Sequence, residues 1–372
     1  MKTYKHLFEQ LVSYENLQRA ILRASKGKQT RRDVKHVLEN KTYYIRAIQY
    51  MLRRQLWQPR VHKAVEINDG INAKKRIIVK PDFIYEQIIH HALVQVLQPV
   101  FMRSMYALSC GSIPARGGVY GKKHLAKWIN HHPDKAKYVA KGDIRHFFQS
   151  VPMERVKEKL ARKIKDKRFL WVLLAAISNC YAEYKGEMVY MGLCIGFYTS
   201  QWLANWYLQD MDYFVKQKLR VRCYYRYVDD FVLLDNNKHK LHKAMRAIRQ
   251  WLEHEKLQLK DNWQVFKLAR YGAQKRRGRG IDFMGFVFFK DKTIPRRCIF
   301  YRACAKARAI KKKAKPNWYV AHQLLCYLGW FQHSQTWTAF KKNIEDLVDV
   351  KGLKRIVSVR QLKINKEAKA LC

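Results

Sequence analysis

The chain has 372 residues with a formal net charge of +46, from 75 Lys and Arg against 29 Asp and Glu, and is 48% hydrophobic and 13% aromatic. That apolar content excludes an intrinsically disordered chain, and the length allows two or three packed subdomains. The excess of cations calls for a polyanionic partner, nucleic acid first; no run of about 18 apolar residues spans a bilayer, and the start, MKTYKHLFEQ, has no apolar signal core.

The N-terminal 60 residues read as amphipathic helices, LFEQLVSYENLQRAILRA and DVKHVLENKTYYIRAIQYMLRRQLW, with apolar positions at spacings of three and four. Their basic face offers a surface for RNA. Residues 61–80 alternate toward two strands around Asn68-Asp69-Gly70. Lys74, Lys75 and Arg76 head the second strand, where a triphosphate would find a bidentate fork; a solvated basic edge strand is the alternative. Pro81 ends the run, and IYEQIIHHALVQVLQPVF follows as an apolar helix.

In residues 105–130, four glycines surround Arg116 in a permissive loop before a helix. The spacing fails as a Walker A loop, since no Gly-Lys follows a four-residue gap. The loop is read as approaching nucleic acid or nucleotide.

Val139–Val151, VAKGDIRHFFQSV, places Asp143 at the end of a short apolar strand. Phe148, five residues on, could sit against the sugar of an incoming nucleotide and exclude a 2′-hydroxyl; a core phenylalanine is the alternative, since Phe147 and Phe148 cannot both face a site. After a basic helical segment (153–180), a loop with Gly192 and Gly196 leads through Thr199-Ser200, read as a helix cap, into a long amphipathic helix with Leu203, Trp206, Tyr207, Met211 and Phe214 on its apolar stripe.

Tyr224–Leu234, YYRYVDDFVLL, organises the rest. Two β-rich apolar runs flank Asp229-Asp230, a hairpin with both carboxylates at or beside its turn. Two anions between apolar strands are costly without a cation. With Asp143 they make a minimal cage for two Mg2+ ions, which take a few hard oxygens from protein and keep water and phosphate for the rest. Two such ions roughly 3.5–4 Å apart clamp the attacking and leaving oxygens of phosphoryl transfer. Asp143, Asp229 and Asp230 therefore read as the carboxylates of a polymerase.

Further on, LQLKDNWQVFKL precedes a basic gap, AQKRRGRG, whose Arg276, Arg277 and Arg279 suit a phosphate clamp. GIDFMGFVFF is expected as a strand on the edge of the same sheet. Residues 296–372 are basic and helical, with Lys311, Lys312 and Lys313 in one run and an aromatic centre at 327–340, a composition that grips a duplex by its backbone. The eight cysteines form no C-x-x-C and no zinc spacing. They read as reduced, buried thiols of a cytoplasmic protein. His90-His91 and His131-His132 lack partners at metal-ligand spacing and read as structural or RNA-facing.

The order of these blocks resembles reverse transcriptases over roughly residues 65–290: the strand with Arg76, the SIPARG loop, Asp143 with its two phenylalanines, the Gly-x-x-x-Ser loop, YVDD and GIDFMGF. The resemblance implies an α+β right-hand polymerase with fingers, a palm of antiparallel sheet plus helices, and a helical thumb. Residues 1–60 would be an N-terminal helical extension, 61–290 fingers and palm, and 291–372 the thumb. It also implies that Asp143, Asp229 and the Ile144 carbonyl hold two Mg2+ ions, with Asp230 in support and Mn2+ as a substitute. Nucleotide contacts would come from Lys74, Arg76, Arg116, Phe148, Ile195, Gly196 and Gln201.

The loop departs from the usual Gln-Gly-x-x-x-Ser-Pro: here it runs Ile195-Gly-Phe-Tyr-Thr-Ser-Gln201. That looks like reverse transcriptases of diversity-generating retroelements, in bacteria or phages. The implied activity copies a template-repeat RNA into cDNA with errors at template adenines, diversifying a variable gene. The implied partners are template RNA, the RNA/cDNA duplex, dNTPs and a small basic accessory protein oligomer. A retron, group II intron or antiphage-defence enzyme is the alternative, and a non-catalytic RNA-binding protein the third.

Overall fold

In this computed structural model the described residues are 3–69, 74–178, 180–274, 277–312 and 315–370. Each of the two expected N-terminal helices is broken in two, giving α1 (Phe8–Val12), α2 (Tyr14–Ser25), α3 (Arg32–Glu39) and α4 (Lys41–Arg53). The first break falls at Ser13, whose extended backbone lets its hydroxyl accept from the Asn16 amide and cap α2. Inward, α2 buries Leu17, Ala20, Ile21 and Ala24, the three-and-four spacing of an amphipathic helix. Asp166 accepts from the Leu7 and Phe8 amides at 2.7 and 2.8 Å, so the N-terminus is fastened to the main body.

Strands β1 (His62–Asp69) and β2 (Lys74–Val79) pair antiparallel. A π-helical turn, Phe83–Gln87, then feeds α5 (Ile88–Met102). A short β3 (Ser109–Cys110) and α6 (Gly118–His131) precede β4 (Tyr138–Asp143). Helices α7 (Phe147–Ser150), α8 (Met153–Lys163) and α9 (Lys167–Ser178) follow.

Next comes a hairpin absent from the sequence expectation, β5 (Tyr181–Tyr184) and β6 (Glu187–Tyr190). Its signal was present: Lys185 and Gly186 both take positive φ at the turn between alternating strands. Strand β5 runs parallel to β1, completing a four-stranded sheet in the order β2-β1-β5-β6.

The long helix expected after residue 198 is α10 (Tyr198–Tyr207), α11 (Gln209–Tyr213) and a π turn, Phe214–Lys218. Thr199 and Ser200 do not cap it. Phe197 holds the cap position without a side-chain bond, and Thr199 is buried with its hydroxyl 2.9 Å from His90 Nδ1.

Strands β7 (Cys223–Tyr227) and β8 (Asp230–Asp235) form the anticipated hairpin. After α12 (Lys238–His254), β9 (Gln264–Lys267) joins the free side of β4. The central sheet is thus β3-β7-β8-β4-β9. The segment GIDFMGFVFF is not on its edge as expected. Met284 and Gly285, both at positive φ, fold it into β10 (Ile281–Phe283) and β11 (Phe286–Phe288), which with β12 (Thr293–Pro295) make a separate three-stranded sheet. A single bridge, Leu268 to Arg279, links the two sheets by backbone, and a shared core of Val139, Val232, Phe283 and Phe286 links them by packing.

The chain closes with α13 (Arg297–Lys311), α14 (Trp318–Gln332), α15 (Trp337–Phe340) and α16 (Val350–Ala370), which bury their own cluster around Ala307, Leu324 and Phe331. The whole is α+β. Among the described residues no helix is long and apolar enough to cross a membrane.

Candidate active site

Strand β4 ends on Asp143 and β8 begins on Asp230, and the antiparallel register sets the two directly opposite each other. Cross-strand partners present their side chains to the same face. Asp229 precedes Asp230 in the two-residue turn between β7 and β8, with Val228 at φ 58°. A β-branched residue in that region is strained and must be held by its surroundings.

One backbone contact and a buried cation hold it. The Val228 amide donates to the Cys110 carbonyl at 3.1 Å, and the Val228 carbonyl accepts from Arg226 Nη1 at 2.8 Å. Arg226 is wholly buried. Its guanidinium forks onto Asp212 at 2.8 and 2.7 Å and also donates to the Asn205 side chain and carbonyl. Asp212 further accepts from the Tyr224 hydroxyl at 2.7 Å. Asn205 in turn donates to the Gly111 carbonyl, so one polar network joins α10, α11, β7 and the 109–116 loop beneath the turn.

Arg116 lies in that loop, and its guanidinium donates to the Tyr106 carbonyl at 3.3 Å, bracing the loop. The loop approaches the turn closely: a Cβ on Gly111 would meet Val228 at 2.9 Å.

The neighbouring carboxylates disfavour the ionisation of Asp229 and Asp230. Burial, then Asp143 and Asp230, push Asp229 up to about 6. Burial also raises Asp230, opposed chiefly by Lys141. Asp143 Oδ1 is buried without a hydrogen-bond partner. Its other oxygen takes the Lys260 ammonium. Lys260 arrives because Ile144 bridges to Leu259 and the Lys260 amide donates to the Asp143 carbonyl at 2.9 Å.

Sequence reasoning missed Lys260. The one local hint is the charge in LQLKDNW, and nothing local links it to residue 143. Among the described residues no three acidic, His or Cys side chains converge on one metal-sized point as they stand. Three hard-oxygen donors, one orphaned buried oxygen and the electrostatic penalty on Asp229 and Asp230 nevertheless fit a divalent cation in chemistry.

The 191–197 loop is clamped beside this site. The Leu193 amide donates to the Phe148 carbonyl at 2.8 Å, and the Val79 amide donates to the Ile195 carbonyl at 2.8 Å. Gly196, at φ 126°, lies so close to the Val79 carbonyl that a Cβ would meet it at 1.9 Å, so no other residue fits there. Phe147 is the core phenylalanine, and Phe148 is half-buried with its backbone holding the loop. Gln201 is exposed in the first turn of α10.

Arg76 is exposed on β2 opposite Ile67, and Lys74 opens that strand. Arg279 stacks on Phe266 and bonds Gln264, Arg277 is exposed in the preceding turn, and Lys311 and Lys312 end α13. Arg276 and Lys313 lie outside the described residues.

The family model of the reverse transcriptase (RNA-dependent DNA polymerase) matches residues 62–288, more than half the chain and the span that carries both larger sheets. No curated protein matches the chain.

Proposed function

The chain belongs to the reverse transcriptase family and is an RNA-directed DNA polymerase, and from that premise we propose that it is the mutagenic polymerase of a diversity-generating retroelement, copying a template-repeat RNA with errors at template adenines. RNA template and dNTPs are the family's substrates. We assign fingers and palm to residues 61–290, the thumb to 291–372 and a helical extension to 1–60.

The observation that carries the catalytic part is the facing of Asp143 and Asp230 across β4 and β8, with Asp229 next to Asp230 in the β7–β8 turn. Asp143, Asp229 and the Ile144 carbonyl would hold two Mg2+ ions, Asp230 assisting. Bound there, the ions supply charge stabilisation to the attacking hydroxyl and the leaving pyrophosphate. The chain's own groups prepare that state. Lys260 has to release Asp143, and Asp229 has to be ionised, which favours pH above about 6. Arg226 fixes the turn so that Asp229 is presented without reorganisation at the moment of reaction. Lys74 and Arg76 on β2 face the triphosphate, Arg116 braces the loop under the turn, and Phe148 borders the sugar.

The subtype rests on the loop Ile195–Gln201. Ile195 offers no side-chain hydrogen bond where relatives carry Gln. One such bond is worth about 0.5–1.5 kcal/mol net, so its loss relaxes discrimination by about two- to tenfold. A small basic accessory protein oligomer is the proposed partner for the RNA.

Primer extension on an RNA template containing all four bases, with Mg2+ and dNTPs and with or without that accessory protein, tests the reading. Errors concentrated opposite adenine are expected. Faithful cDNA would reject the diversity-generating subtype and leave an ordinary reverse transcriptase.

A further inference from the structure

Helix α8 buries Met153, Val156 and Leu160 at spacings of three and four, and the next position of the same stripe is Lys163. An apolar residue is expected there, yet a lysine fills it and is only 8% exposed. A buried ammonium is costly unless it is paired. The hydrogen bond that Lys163 Nζ makes is to the Ser104 hydroxyl, and it is long, 3.4 Å. The Tyr4 ring, 6.0 Å away, lies at the limit of cation–π attraction. Among the described residues no carboxylate reaches it, so two of the three donors of the ammonium lack an acceptor.

Lys163 lines a cavity of about 460 Å³ between α8, the α10–α11 junction and the end of α12. That volume falls in the range of small-ligand sites. Trp206, on the same wall, is 2% exposed, and its indole Nε1 is buried with no hydrogen-bond partner. Gln209, also buried and also on the wall, uses its Oε1 to accept from Ser104 at 2.9 Å, which turns its amide nitrogen to other acceptors. The carboxylates of the wall already have cations. Glu255 takes Arg155 at 3.1 Å, Asp210 takes Lys159 at 2.8 Å and Glu158 takes Arg162 at 3.8 Å. Lys163 alone among the Lys and Arg of the wall has none.

Every group left over is therefore a donor: an ammonium, an indole N–H and an amide. Native structures rarely leave such buried groups uncompensated. The missing partner is an anion rich in acceptors. A phosphoryl group offers three oxygens to converging donors where a carboxylate offers two, and Arg155 and Arg162 at the rim add forks that match it. None of the lining residues belongs to the active site.

We propose that this cavity is a second anion site, separate from the polymerase centre, that binds a phosphoryl group on Lys163, Trp206 and Gln209. The group comes from a free phosphate-bearing anion or from the backbone of an RNA strand.

The test is isothermal titration of the full chain with inorganic pyrophosphate at physiological ionic strength, which screens diffuse attraction. EDTA is present, so that no divalent ion carries pyrophosphate to the aspartates. Saturable binding is expected in wild type. Lys163→Met puts an apolar side chain of similar length into an apolar stripe and should weaken binding about tenfold or more, the loss of a charge-assisted bond. Trp206→Phe keeps a ring and removes the N–H, and should weaken binding several-fold. Arg46→Met removes a charge from the exposed face of α4 and should leave the affinity unchanged. Displacement of pyrophosphate by a six-nucleotide RNA would assign the site to a strand phosphate, and failure to displace it would assign a free anion; either supports a phosphoryl site. No saturable binding in wild type, an affinity untouched by Lys163→Met, or an equal loss in Arg46→Met would overturn the proposal.

Discussion

Replacing Arg226 by Met separates the support of the turn from the chemistry at the turn. The substitution keeps the bulk of the side chain and removes the bonds to Asp212, Asn205 and the Val228 carbonyl. Asp212, 1% exposed at its side chain, is left as an uncompensated buried charge with only the Tyr224 hydroxyl. Removing one partner of a buried pair costs about 3–5 kcal/mol. With an unfolding entropy of about 2.1 cal/mol/K per residue, a chain of this length should lose about 4–6 °C in melting temperature. Arg226→Met/Asp212→Leu removes both charges, which is close to neutral once no ion is stranded, so most of the loss should return.

Nucleotide incorporation should not return with it. The Val228 carbonyl stays unheld and Val228 keeps a strained φ, a conformation that costs on the order of 1–3 kcal/mol when nothing enforces it. Relaxation of the turn then lowers incorporation tenfold or more. Differential scanning fluorimetry and single-nucleotide extension on the same preparations read the two effects. Wild-type incorporation by the double variant would refute a role for Arg226 in presenting Asp229. A loss under about 1 °C in Arg226→Met would refute the energetic importance of the pair.

Asp229→Asn should abolish incorporation while RNA binding, measured by filter retention, survives. Because its carboxyl is raised from 3.8 to about 6, its contribution to apo stability is fully present below pH 3.8 and lost as pH rises through about 6. The Asn variant should therefore be more stable than wild type above pH 6, by at most about 3 kcal/mol less the screening that water gives a partly exposed group, with the gain vanishing below about pH 4; an unchanged melting curve at pH 8 would remove the electrostatic strain from this account. Mg2+ should raise the melting temperature of wild type and not of Asp229→Asn. Lys260→Met frees Asp143 from a charge-assisted bond and should tighten Mn2+ binding about tenfold in a paramagnetic titration; weaker binding would mean that Lys260 helps assemble the site. Phe148→Ala should admit ribonucleotides in extension assays, and an unchanged preference for dNTPs would leave Phe148 as a packing residue.

Much of this protein was legible in the residues themselves, because the relevant physics is local. The YVDD hairpin follows from two β-rich runs around a polar pair, and β8 does begin at Asp230. Asp143 at a strand end, the apolar α5 and the basic C-terminal helices follow from periodicity in the same way. Where chain order alone was extrapolated into pairing, it failed: GIDFMGF turns back on itself at Met284-Gly285 and leaves the central sheet to β9; and of the hydroxyl pair that looks like a cap, Thr199 is buried against His90.

Other features exist only once distant segments meet. Lys260 reaches Asp143 across 117 positions because β4 accepts β9 on one side and β8 on the other. The Arg226–Asp212 pair lies within 14 residues, but whether it is a buried brace or a surface ion pair is decided by the helices packed over it. Lys163 continues a regular stripe of α8, yet it becomes a buried ammonium without a carboxylate only when the chain around Trp206 and Gln209 packs beside that helix. Local pattern fixes which face of an element is polar; long-range register and packing decide what that face meets.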